Sequence, residues 1–297
     1  MNRSDEHANG SIPPGDVQDG AERIAGAAVL PRVRLREWRN SFMSFSYYGE
    51  LCTEVYDLTK KIGQSINGDI EYYRDRLLGC QGRILEAMTG SGRVLIPLLE
   101  AGLLADGVDA SPDMLASCRR RCADRGLAPE LYLSSLQELA LPERYEAILV
   151  PAGSFLLIER REESLQALRR LYDHLLPGGR LMLDLFLPDA DFAPGGFAGS
   201  SAFPLPDGDT ITMEGKLAEA DLFEQYKVSY IKYEKWRQGK LVATELQRFA
   251  LRWYGVEEFK LVLESLGFAD VTVCADFEPG KAPSNAGQQY VYEAVRK

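Results

Sequence analysis

From residue 83 onward the chain alternates short apolar runs with amphipathic stretches, which predicts parallel strands joined by crossover helices. Strands are read at RILE (83–86), ADGVDAS (105–111), LYLSS (131–135), YEAILVPAG (145–153) and RLMLDLFLP (180–188). The last is apolar at most positions, as a strand buried on both faces requires. Helices are read between them at 92–103, 111–127 and 163–179. Pro97 falls in the early turns of the first, where a missing amide costs least. Ser111 is placed to cap the second, Gly126 to stop it, and Pro177-Gly178-Gly179 to close the third.

After Pro188 the period changes. A turn-rich link, PDADFAPGGFAGSSAFPLPDGD, leads into TITMEGKLAEAD, EQYKVSYIKYEKW and KLVATELQRFALRWY, with RQGK as a hairpin turn. Alternation of period two predicts antiparallel strands. A helix (GVEEFKLVLESLGF) and two strands (DVTVCADF and QQYVYEAVRK) then complete the α/β pattern, and two amphipathic helices, SYYGELCTEVYDLTKKI and GDIEYYRDRLLG, precede its first strand. The expected fold is a Rossmann-like, seven-stranded, mostly parallel sheet with helices on both faces and an inserted antiparallel β subdomain. The divisions are a disordered arm over 1–30, N-terminal helices over 31–68, the parallel-sheet domain over 69–188 and 255–297, and the insertion over 189–254.

The formal net charge of −10 argues against nucleic acid as the main partner, because a phosphate backbone is held by Lys and Arg. No run approaches the roughly 18 apolar residues of a membrane span. The polar start, MNRSDEHANGSIPPGDVQDG, lacks the apolar segment of a secretory signal. With five cysteines at no recognisable spacing and only His7 and His174 to join them, free thiols in a reducing cytoplasm are expected and a metal site is not.

The first commitment to chemistry is ILEAMTGSGR (84–93). An apolar strand ends on Glu86 and breaks into a loop holding Gly90 and Gly92. A P-loop would need GxxxxGK[ST], and here Arg93 and apolar residues follow. A dinucleotide fold would want GxGxxG, and the last position is Leu95. S-adenosylmethionine has an ammonium, a sulfonium and two ribose hydroxyls, so it wants acceptors rather than lysines. Glu86 can receive the ammonium, Asp109 both hydroxyls, and Gly90 and Gly92 let the backbone lie against the nucleoside.

Residues 69 to 188 resemble the core of a class I S-adenosylmethionine-dependent methyltransferase, with ILEAMTGSGR as the glycine motif. GVDASPDML resembles the ribose segment, LYLSSLQEL the adenine segment, AILVPAGSF the stretch after the fourth strand and HLLPGGRLMLDLF the fifth-strand motif. The resemblance implies that Glu86, Gly90 and Gly92 line the methionine half and that Asp109 binds the ribose. It also implies that Met114 packs on the adenine, Ser135 and Leu136 meet its edge, and Pro151 sits beside the sulfonium. Two positions depart from the pattern: Met88 stands where the family usually has glycine, and Ser135 where it usually has Asp.

The insertion and the N-terminal helices are similar to those of small-molecule methyltransferases, the sugar-amine and glycine N-methyltransferases, in which they form a lid over the donor. VPAGSF lacks the Asn/Asp-Pro-Pro-aromatic tetrapeptide common in enzymes that methylate nucleic-acid bases. Neither histidine is placed for catalysis. The acceptor is therefore a neutral amine methylated by approximation, or a hydroxyl whose proton leaves to Tyr, Asp or Glu. Tyr56, in EVYDL, is the catalytic candidate, and Trp253, Tyr254, Asp184 and Phe186 are candidates to face the acceptor. A homodimer is compatible with this reading, and a catalytically silent donor-binding subunit or sensor is the alternative.

Overall fold

The computed structural model describes residues 48–188 and 197–297. The arm over 1–30, the rest of the segment before residue 48 and the link at 189–196 lie outside the described residues.

A seven-stranded sheet forms the centre. In chain order its strands are β1 (Ile84–Ala87), β2 (Ala105–Asp109), β3 (Leu131–Leu133), β4 (Tyr145–Val150), β5 (Leu175–Phe186), β10 (Phe268–Ala275) and β11 (Gln289–Arg296). Their spatial order is β10-β11-β5-β4-β1-β2-β3. β1 to β5 run parallel, and β11 inserts antiparallel between β5 and β10. Successive residues feed opposite cores, which is why these strands are apolar at almost every position. Leu85, Ile148, Leu181 and Leu183 face α5 (Arg161–His174) and α6 (Val256–Ser265). Ile84, Leu149 and Met182 face α2 (Asp69–Leu77), α3 (Leu95–Glu100) and α4 (Pro112–Ala123).

α4 starts as its sequence requires, with the Ser111 hydroxyl accepting the Met114 amide. It stops at Gly126 (φ 69°), where the Leu127 amide reaches the Cys122 carbonyl and the Gly126 amide that of Ala123, a Schellman closure. α5 differs from expectation. It ends at His174, and Pro177-Gly178-Gly179 belongs to an irregular opening of β5 instead of closing the helix. A Cβ on Gly179 would meet the Leu176 carbonyl oxygen at 2.8 Å and that of Glu146 at 3.1 Å, so that glycine allows two backbones to pass closely.

The second sheet has the order β6-β7-β8-β9, comprising β6 (Phe197–Pro204), β7 (Thr210–Asp221), β8 (Tyr226–Arg237) and β9 (Lys240–Arg252). β8 and β9 are joined by Gln238 (φ 48°) and Gly239 (φ 75°), the two left-handed residues of a type I′ hairpin. β6 corrects the sequence reading, which assigned its residues to a link. It is an edge strand in which glycine, serine and a terminal proline replace the usual β-formers. Ile211, Ile231 and Tyr233 on one face of this sheet pack against Leu51, Cys52 and Val55 of α1 (Glu50–Thr59). The four-stranded sheet thus meets the main domain through this helix and, from β9, directly at Glu159 after β4.

Candidate active site

The loops after β1, β2 and β4 open into a cavity of about 500 Å³. Gly90, Asp109, Met114, Ser135 and Leu136 all line it, together with Tyr56 of α1 and Met88. The far wall comes from Leu157, Ile158 and Glu159 after β4 and from Arg248 and Ala250 of β9.

Asp109 ends β2 and ties two loops together. Its Oδ2 accepts the Gly90 amide at 2.8 Å and its Oδ1 the Ser111 amide at 2.8 Å. Burial pushes its carboxyl up, and the backbone amides pull against that shift. A Cβ on Gly90 (φ 55°) would have only Met114 Sδ nearby, at 4.0 Å. The open side of that glycine is the cavity. Met88 also has positive φ, at 60°, so the loop keeps a left-handed backbone at the position where a glycine is missing.

Glu86 and Gly92 lie behind this wall rather than on it. Glu86 is 2% exposed. Its carboxylate accepts the Thr89 hydroxyl at 2.9 Å, and burial pushes it up to about 8. Gly92 (φ 85°) answers a packing demand, because a Cβ there would meet Cys118 Sγ at 2.9 Å and Ile96 Cδ1 at 3.2 Å. Ser135 donates to Glu138 at 3.0 Å beside the cavity. The Pro151 carbonyl accepts both the hydroxyl (2.7 Å) and the amide (3.2 Å) of Ser154, a lining residue.

Tyr254, Trp253 and Asp184 lie in the protein interior, and they and the half-buried Phe186 are off the cavity surface. Tyr254 packs between Phe155 and Phe259, and its hydroxyl bonds Ser164. Trp253 is buried beside it. Asp184, also buried, accepts the Ala152 amide (2.9 Å), the Gly153 amide (2.8 Å) and the Tyr73 hydroxyl (2.7 Å), and burial raises it to about 6. It holds the left-handed turn after β4, where Ala152 and Gly153 have φ 61° and 64°. Phe186 packs against the same turn, since a Cβ on Gly153 would meet its ring at 2.4 Å.

Sequence reasoning missed Arg93, Glu159 and Arg248. The Arg93 guanidinium, 2% exposed, forks onto the Asp69 carboxylate and donates to the Gln64 carbonyl at 2.9 Å. An arginine leading straight into an apolar helix was the available signal, because a buried cation requires an acid. Arg248 forms a two-point ion pair with Glu159 at the cavity wall, and Arg252 Nε donates to the Glu159 carbonyl at 2.7 Å. Nothing local announces a pair 89 residues apart. Among the described residues no cluster of His, Cys, Asp or Glu is arranged to hold a metal ion.

Residues 84–179 match the methyltransferase domain family. The match covers the glycine loop, the end of β2 and the turn after β4, the parts that build the cavity. Residues 84–179 are thus a methyltransferase domain, carried on a class I methyltransferase fold. The chain is 29% identical over 164 residues to the cypemycin N-terminal methyltransferase of a Streptomyces species, a stretch covering 54% of this chain and 64% of that protein. It is 24% identical over 219 residues to the putative methyltransferase YqeM of Bacillus subtilis, covering 73% and 85% of the two chains. Its fold is that of the sugar N-methyltransferase KedS8 from a Streptoalloteichus species, with a TM-score of 0.64 at 21% identity over 86% of this chain and 98% of that one.

The methyl donor of such domains is S-adenosylmethionine, and the residues of this cavity fit it. The cavity presents a carboxylate at the β2 tip and bare backbone at Gly90, while the nearest buried acid behind it, Glu86, is pushed toward its neutral form. A cationic nucleoside beside these groups would meet acceptors and no competing lysine. No helix among the described residues is long and apolar enough to cross a membrane.

Proposed function

We propose that this methyltransferase alkylates a small-molecule amine, with Gly90, Asp109, Met114, Ser135 and Leu136 holding the nucleoside and Glu86, behind the cavity wall, as the acid that balances the donor's ammonium. Hydroxyl acceptors are the second reading. The observation that carries the donor site is the meeting of Gly90, Asp109 and Met114 on one cavity wall, although they lie on three separate segments. S-adenosylmethionine, when bound, supplies an electrophilic methyl group on a leaving sulfonium.

The chain's own work is to orient the reactants and exclude water. Tyr48 and Tyr56 present aromatic rings to the cavity, faces that favour a cationic methyl group. Burial pushes the Tyr56 phenol up, with the Arg93 guanidinium beside it acting in the opposite direction. The phenol therefore stays protonated at neutral pH, its oxygen accepting from Arg93, and it is not the base that takes a proton. Asp109, Glu159 and Glu163 line the cavity, with Arg248 paired to Glu159, an acidic balance that favours the positive charge an amine acquires as it is methylated, and the attack of a neutral amine needs no base. Among the described residues the cavity lining includes no histidine.

The test is transfer of labelled methyl from S-adenosylmethionine to matched amine and alcohol panels. Methylated amines with alcohols inert would support the proposal. Alcohol methylation alone would replace the amine by a hydroxyl. Tight donor binding with no transfer to either panel would favour a silent donor-binding subunit.

A further inference from the structure

Tyr56 is carried by α1, a helix with no side-chain cap of its own at Gly49. Its first amides, those of Leu51 and Cys52, are taken by the Glu245 carboxylate of β9 at 2.9 and 3.4 Å. Midway, Glu54 accepts Lys235 of β8 at 2.9 Å. These bonds fix α1 to the inserted sheet and leave its position over the glycine loop to be set from the other end.

At that end stands Arg121 of α4. Its Nη1 donates to Asp57 Oδ1 at 2.8 Å, to the Ser91 carbonyl at 3.1 Å and to the Ser91 hydroxyl. Its Nη2 reaches the carbonyl of Lys60, the C-cap of α1, at 3.5 Å. Ser117, one turn earlier on α4, donates to the other Asp57 oxygen. Ser91 is fully buried between Gly90 and Gly92, both with positive φ. One guanidinium therefore holds the tip of the glycine loop and the residue next to Tyr56 at the same time. Arg93, two residues beyond Ser91, lies beside the Tyr56 hydroxyl.

We propose that Arg121 is a positioning residue through which the glycine loop sets the place of α1, and with it the Tyr56 ring, over the cavity. This rests on the reading of the cavity as the donor site. When a ligand fixes the loop backbone at Gly90, the Ser91 bonds to Arg121 carry that constraint to Asp57. Removing the guanidinium cuts the link from Ser91 to Asp57 yet leaves the Ser117–Asp57 bond and the Arg93–Tyr56 contact, so the helix stays docked but loses the hold of the loop tip on Asp57. Lysine in its place keeps one donor nitrogen, as Nη1 serves Asp57 and Ser91 here, but loses the Nη2 contact to the Lys60 carbonyl.

The test uses the full-length protein with S-adenosylhomocysteine as probe and hydrogen exchange over residues 53–60 as readout, beside calorimetric binding. In the parent protein the probe is expected to slow exchange of those amides by about tenfold. In Arg121→Ala the probe should still bind within about fivefold, while the slowing falls below about twofold; Arg121→Lys, which keeps a donor nitrogen, should retain part of the slowing. Ser117→Ala loosens Asp57 without touching the loop contact and should keep the parent response. A bare docking role predicts that Ser117→Ala loses the response as Arg121→Ala does, and that result would overturn the proposal. So would a parent-like response in Arg121→Ala, or a parent protein that binds the probe with no change over α1. Failure of the parent protein to bind the probe at all would remove the donor-site reading itself.

Discussion

Asp109→Ala isolates the β2 acid. Each of its carboxylate oxygens already accepts one backbone amide at 2.8 Å. A carboxylate offers about four acceptor sites, so two remain for the cavity, matching the two hydroxyls of a ribose. Hydrogen bonds to a charged group contribute about 1.5–3 kcal/mol each when buried. Asp109 is partly exposed, which reduces the pair to about 2–3 kcal/mol, a loss of roughly 30- to 150-fold in affinity. The substitution also strips the Gly90 and Ser111 amides of their partner, so stability should fall by about 1–2 kcal/mol. α4 keeps its start through the Ser111 hydroxyl. Calorimetric titration with S-adenosylhomocysteine and a thermal melt on the same sample separate the two effects, and Asp109→Asn, which retains one accepting oxygen, should fall between. An affinity within about threefold of the parent would refute the ribose assignment, since even one lost bond exceeds that.

Gly90→Val puts a branched side chain at φ 55° facing the cavity. Strain of about 1–2 kcal/mol should lower the melting temperature by about 2–8 °C and titration should show no binding; normal binding would contradict the loop assignment. Glu86, raised to about 8 in the free protein, should ionise when an ammonium arrives. Titration near pH 7 would then release a proton, seen as a binding heat that varies with buffer, and Glu86→Gln should abolish that variation. For the free protein the sign is fixed: the Glu86 contribution to stability is full below its ordinary carboxylate range and is lost as pH rises through about 8. Melting temperature should therefore drop less steeply across that window in Glu86→Gln. Asp184→Ala leaves two amides and the Tyr73 hydroxyl unpaired in the interior. It should cost about 3 kcal/mol or more and lower the melting temperature by roughly 6–12 °C, and an unchanged melt would mean the turn after β4 is held by something else.

What could be read in the sequence followed from how local each cause was. Ser111 and Gly126 sit at the ends of the helix they delimit, and the apolar run of β5 states its own two-faced burial. β6 could not be read that way, because it is an edge strand whose glycine and proline resemble a link. Gly92 was assigned to the ligand, whereas its space is taken by Cys118, 26 positions on, whose approach depends on how α4 packs. Tyr254 and Asp184 carry polar groups suited to a site, yet Ser164 and the Ala152–Gly153 turn bring their partners from distant segments. The Arg248–Glu159 pair exists only once the inserted sheet meets the loop after β4.

The most direct measurement is a crystal structure of the protein with S-adenosylhomocysteine. It should show the ribose hydroxyls on Asp109, the adenine against Met114 and the thioether pointing between Pro151 and Tyr56. Density for the compound elsewhere, or none at saturating concentration, would contradict the claim that acids and bare backbone at neighbouring strand ends hold a cationic nucleoside.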